Sequence, residues 1–166
     1  MKKRTVGFLS LLAGGVFGAL GATARVGKVK NEELKTEKQF SGKHLALYIM
    51  MDRWVEVKQK GKNLADFFRN EGYQKIAIYG MSYAGNRLVK ELAGTGIEIK
   101  YGIDKDADNI CSDVKIYKPQ DIMEDVDVVV VTPIFFFNEI AEELEKKYSC
   151  QIISLEDIIN EVLFEV

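Results

Sequence analysis

Apolar positions along the chain change period several times, and each change marks an element. Leu47, Tyr48, Met51, Trp54 and Val55 recur at three- and four-residue intervals, which predicts one apolar face of a helix. Gly61 stops that helix, and Asn63 with Asp66 three residues on resembles a capping pair for another, whose buried side is Leu64, Phe67 and Phe68. This helical hairpin over 43–72 is expected to dock on the edge of a sheet. Ile76-Ala77-Ile78-Tyr79 reads as the first strand of that sheet, followed by a helix over Ala84–Ala93 with Leu88, Val89 and Leu92 inward. After a turn bracketed by Gly94 and Gly96, Ile97–Ile103 alternates as a second strand ending at Asp104. Val114–Tyr117 predicts a short third strand, with a brief helix from Pro119. Asp127–Thr132 is the most apolar run, as expected of a strand covered on both faces, and Pro133 closes it. A helix over Phe135–Lys147 presents Phe136, Phe137, Ile140 and Leu144 on one side. Gln151–Ser154 is a fifth strand, and Leu155–Val162 a last helix capped by Ser154 or its neighbours. Strands separated by helical crossovers predict an α/β fold over 73–166: a doubly wound, five-stranded parallel Rossmann-like sheet of order 3-2-1-4-5.

Ahead of these elements, Lys2, Lys3 and Arg4 precede an uncharged run from Thr5 to Ala24. A helix of about 20 residues spans about 30 Å, the thickness of a bilayer's hydrocarbon core. Residues 1–25 therefore read as a transmembrane anchor, with Gly14 and Gly18 as a small-xxx-small pair. A cleaved secretory signal ending at Ala22-Thr23-Ala24 fits the same residues. The length of the run favours the anchor. The basic residues from Arg25 to Lys43 favour a cytoplasmic C-terminal side, hence a single-pass protein of the cell membrane. The Lys/Glu-rich stretch 26–42 reads as a solvated linker or as the polar continuation of the membrane helix.

The candidate chemistry sits where the first strand meets its helix. Gly80, Ser82 and Gly85 occupy the three glycine positions of a dinucleotide fingerprint, with serine in the middle place. Gly80 suits the tight turn, Gly85 suits close helix–sheet packing, and the helix start directs free N–H groups at a pyrophosphate. On this reading Gly80, Met81, Ser82, Tyr83, Ala84 and Gly85 cradle phosphate, and Gly85→Val should abolish binding while leaving the sheet folded. Asp104 falls about twenty residues beyond Gly85, where such folds place the carboxylate that accepts ribose hydroxyls; solvated turn residues are the alternative. Lys105 lies beside it, and Thr132 and Pro133 end the strand across the topological reversal. The same glycines also suit a turn needed for packing alone.

Charge and composition remove other functions. Charged residues make up 29% of the chain and the net charge is −2, so there is no basic excess of the kind that marks a nucleic-acid binder. Cys111 and Cys150 are not spaced as a metal knuckle, and no metal site is expected. The one histidine, His44, reads as a residue at the start of a helix. Tyr101 and Lys105 match the Tyr-x-x-x-Lys spacing of short-chain epimerases, but along a strand that spacing does not stack the two side chains. Glu139, Glu142 and Glu143 read as a solvated helix face, and no catalytic residue is assigned.

Taken together, Ile76–Leu88, Tyr101–Asp104, Val114–Asp121 and Asp127–Thr132 resemble the Rossmann-like nucleotide-binding module of membrane-associated polysaccharide-biosynthesis proteins, of the nucleotide-sugar epimerase/dehydratase kind. With Trp54–Gly61 and Ile152–Val162 the whole looks like small anchored proteins of bacterial glycan clusters. The resemblance implies NAD(P) or a nucleotide-sugar as cofactor or ligand, and an accessory role in envelope glycan assembly. Two alternatives remain open: an epimerase or oxidoreductase completed by a partner or by self-association, and a ligand-free scaffold for a glycosyltransferase, with Phe135-Phe136-Phe137 as its contact. Ser82 at the middle glycine is the chief departure from the family pattern.

Overall fold

The computed structural model describes residues 35, 37, 38, 40–121 and 124–165. The chain divides into two units, Met1–His44 and Leu45–Val166. In the first, the described residues are helical, and Nδ1 of His44 lies 2.7 Å from the Phe40 carbonyl oxygen one turn earlier. His44 therefore lies inside a helix and does not open one. The uncharged run Thr5–Ala24, with the anchor read from it, falls outside the described residues. Among those residues no helix is long and apolar enough to cross a membrane.

The second unit is an α/β fold. Helix α1 covers 45–59, and α2 is Ala65–Asn70. There follow β1 (Lys75–Tyr79), α3 (Tyr83–Leu92), β2 (Glu98–Ile103), β3 (Ile116–Tyr117), β4 (Val128–Val131), α4 (Phe137–Leu144), β5 (Gln151–Ser154) and α5 (Leu155–Phe164). All strand pairs are parallel and the sheet order is β3-β2-β1-β4-β5. The chain winds outward from β1 to β3, then returns to lay β4 on the other side of β1. Carboxyl ends of strands at such a reversal form the crevice where ligands sit in open parallel sheets.

Strand alternation divides the core. Ile76, Ile78, Val128 and Val130 face one side, packed with Leu88, Val89 and Leu92 of α3, Ile158, Ile159 and Val162 of α5, and the hairpin residues Met50, Trp54, Val57, Phe67 and Phe68. The hairpin thus packs on a face of the sheet and not on its edge, because its large apolar side chains find there the interior shared by α3 and α5. Arg53 of α1 ties it to α5 through Asn160 Oδ1 at 2.9 Å. Tyr48 and Val55 are 68% and 51% exposed, so the predicted face of α1 is rotated. The helix has more apolar residues than one stripe holds, and the stripe through Met50, Trp54 and Val57 is the buried one. The opposite face gathers Ala77, Tyr79, Tyr101, Ile103, Val129 and Val131 under Leu144, Phe137 and Ile140 of α4.

β2 departs from simple alternation. Ile76 pairs with Ile99 and Ala77 with Tyr101, which leaves Lys100 as an extra residue, a β-bulge. Ile97 and Ile99 consequently pack on the α3 side, whereas Tyr101 and Ile103 face α4. The helix expected from Pro119 is not formed among the described residues there, where 118–121 make a turn closed by the Asp121 carboxylate on the Lys118 N–H. The helix expected over Phe135–Lys147 is preceded by a 3-10 turn at Ile134–Phe136 and ends at Leu144. Of the residues that could cap α5, Ser154 does so, its Oγ accepting the Glu156 N–H at 3.2 Å.

Candidate functional site

The turn from β1 to α3 is built by close approaches. Gly80 has φ +92°, and a Cβ there would lie 2.6 Å from Pro133 Cδ and 2.7 Å from Thr132 Oγ1. A Cβ on Gly85 would lie 2.2 Å from the Gly80 carbonyl oxygen. Both glycines are therefore required by the fold itself. Gly85→Val cannot leave the junction intact, which overturns its use as a clean probe of binding. Thr132 is 4% exposed and donates its hydroxyl to the Gly80 carbonyl at 2.6 Å, locking the turn to the end of β4.

Asp104 takes a position that neither sequence reading anticipates. One carboxylate oxygen accepts the Met81 N–H at 2.8 Å and the other accepts the Asp106 N–H at 3.0 Å. The side chain is a clamp between the end of β2 and the glycine turn, and each oxygen keeps a further lone pair for a ligand hydroxyl. The clamp uses the Met81 N–H, so phosphate donors must come from Ser82 onward. Ser82 is the N-cap residue of α3, yet no side chain caps the helix and no acidic residue lies in its first turn. The first-turn N–H groups and the positive end of the helix dipole are thus left uncompensated.

Two cavities flank this turn. The larger, about 720 Å³, runs along α3 beneath the loop joining β2 to β3. Ser82, Tyr83, Asn86, Arg87 and Lys90 line one side, and Asn109, Cys111, Ser112 and Asp113 the other. Tyr83 is 86% exposed at its mouth. Among the described residues Arg87 and Lys90 make no ion pair, and the buried Ser112 Oγ has no hydrogen-bond partner. The smaller cavity, about 360 Å³, opens on the α4 side, where Tyr79, Gly80, Asp104, Lys105 and Pro133 meet Phe136, Glu139, Ile140 and Glu143. The two cavities differ in sign: Arg87 and Lys90 oppose one carboxylate in the first, whereas three carboxylates oppose Lys105 in the second.

The sequence-predicted residues thus separate into groups. Met81, Ser82 and Tyr83 line the α3 cavity, and Gly80, Asp104, Lys105 and Pro133 the α4 cavity. Ala84, Gly85 and Thr132 line neither and are buried in the junction. Sequence reading missed Asn86, Arg87, Lys90 and the 109–113 loop, although Arg87 and Lys90 follow the glycine turn at helical spacing and point the same way. Glu139 and Glu143 are exposed, as expected of a solvated helix face, and their place beside a cavity is what the sequence did not show. They sit one turn apart on α4 and border the second cavity. The Tyr101–Lys105 pairing does not form: the Tyr101 hydroxyl donates to the Glu124 carbonyl at 2.5 Å, and burial raises its pKa far beyond the range of a base. Cys111 and Cys150 are free thiols, and among the described residues no His, Cys, Asp and Glu cluster is close enough to hold a metal ion. No family model, curated protein or solved structure matches the chain.

Proposed function

We propose that this chain binds a nucleotide, NAD(P) or a nucleotide-sugar, at the carboxyl ends of β1 and β2, as an accessory protein of envelope glycan assembly anchored by its N-terminal segment. The observation that carries the reading is the uncapped start of α3 opening into a cavity that also holds Arg87 and Lys90. Backbone donors, a helix dipole and two cations then converge on one volume, an arrangement suited to phosphate. The glycan setting rests on the sequence resemblance alone, a weaker warrant than the site.

The test is a thermal-shift screen of the purified full-length chain against NAD(H), NADP(H), coenzyme A and nucleotide-sugars. A ligand at one hundred times its dissociation constant raises stability by about 2.7 kcal/mol, a readily visible shift of the midpoint. Arg87→Ala with Lys90→Ala should remove that shift without lowering the ligand-free midpoint by more than a degree or two, since both side chains are exposed. If no nucleotide moves the midpoint, the reading fails. The alternative of a ligand-free scaffold then gains weight, because Gly80 and Gly85 are both accounted for by packing.

A further inference from the structure

Helix α1 has two apolar faces, and the fold uses one of them. Met50, Trp54 and Val57 are buried against the sheet. Leu45, Tyr48, Ile49 and Val55 are between 38% and 68% exposed. They stand three, four and ten residues from Leu45, which sets all four along one side of about three helical turns. Single exposed apolar residues need no partner, but a contiguous patch of them marks an interaction surface. Asp52 stands exposed within this patch. Among the described residues, neither its carboxylate nor the Tyr48 hydroxyl has a hydrogen-bond or ion-pair partner.

Asp52 selects what covers the patch. A lipid surface would bury that carboxylate beside hydrocarbon without a partner. A second copy of this chain supplies one, because the patch is its own complement when reversed. Leu45 and Val55 are centred on residue 50, and so are Tyr48 and Asp52. We infer that the exposed face of α1 is a homodimerisation surface, in which two copies pair antiparallel about a two-fold axis level with Met50. Leu45 of each copy then meets Val55 of the other, and the Tyr48 hydroxyl of each donates to Asp52 of the other. Ile49 of each copy lies beside the axis and meets Ile49 of the other. Two-fold symmetry makes every contact twice. Parallel pairing would instead set Asp52 against Asp52, a like-charge contact inside an apolar seam. About three turns of helix make a small interface, of the class that serves weak association. The inference does not depend on the nucleotide reading.

Disulfide cross-linking of the full-length chain tests the register, in a background carrying Cys111→Ala and Cys150→Ala. Leu45→Cys mixed with a tagged Val55→Cys should give the mixed dimer on mild oxidation. Leu45→Cys by itself should stay monomeric. Antiparallel copies hold its two thiols about 15 Å apart, ten residues of helix, whereas a disulfide joins Cβ atoms about 4 Å apart. Asp52→Lys in both chains should lower the mixed yield about fivefold, the worth of two surface charge contacts, and adding Tyr48→Glu should restore it. All four positions are exposed, so these variants keep the fold, and unchanged thermal midpoints check that they do. Linkage of Leu45→Cys to itself would show parallel pairing, and no mixed product would show that α1 does not pair. Adducts with other proteins would assign the face to a different partner, and a mixed yield indifferent to Asp52→Lys would remove the register. Each of these outcomes overturns the inference.

Discussion

At the scale of single residues, the glycine positions have consequences that separate them. The Gly85 Cβ would strike a backbone oxygen, which cannot move without displacing β1, whereas a Cβ on Gly102 would strike the Met81 side chain at 2.6 Å, a buried but unbranched chain that can shift further than backbone. Gly85→Ala should therefore destabilise the fold by about 1–3 kcal/mol, the cost of overpacking a tight site, and Gly102→Ala by clearly less. Urea denaturation of the two variants measures the difference, and equal midpoints would show that the junction relaxes freely. A loss of binding in Gly85→Ala would then report a distorted turn and not a lost contact. Thr132 illustrates the same point from the polar side. Its hydroxyl holds the Gly80 carbonyl, so its place at the end of β4 is explained before any ligand is considered.

At the scale of elements, β1 is held at both ends by carboxylates from neighbouring loops. Asp104 clamps the turn at its exit, and Asp127 accepts the Gln74 and Lys75 N–H groups at 2.8 and 2.7 Å at its entry. Those two backbone donors hold the Asp127 carboxyl below its ordinary range. A depressed native pKa stabilises the fold above the unfolded value near 4, and the contribution is lost as pH falls through the native one. Asp127→Asn should thus lower the urea midpoint at pH 7, and its deficit should shrink as the pH approaches 3. A deficit independent of pH would show that the charge plays no part. The sequence made most of this framework legible: strand order, the β1–α3 turn and the cap of α5 all follow from periodicity and turn chemistry. What it hid needs contacts distant along the chain. The Lys100 bulge is invisible in a run that alternates without a break, and the buried stripe of α1 depends on what α3 and α5 leave open. The α4 cavity joins the end of β1 to side chains some sixty residues later, so Glu139 and Glu143 are solvated as expected, but their nearness to Tyr79 could not be read.

At the scale of the whole second unit, the two sides of the sheet are unequally covered. Helices α1, α2, α3 and α5 share one continuous interior, whereas the described residues place α4 as the single helix against the other face. Of its eight residues, Ala141 and Leu144 are buried, and Phe137 and Ile140 are only partly so. Such an element can detach at a fraction of the free energy of global unfolding. Native-state hydrogen exchange should therefore show the α4 amides exchanging well before those of α3 and α5, and equal protection would contradict the asymmetry. Because α4 carries Glu139 and Glu143, a molecule lodged beside Tyr79 would slow exchange in that helix selectively. One flank of the sheet is thus firmly packed and the other lightly held, and the smaller cavity lies on the lightly held side.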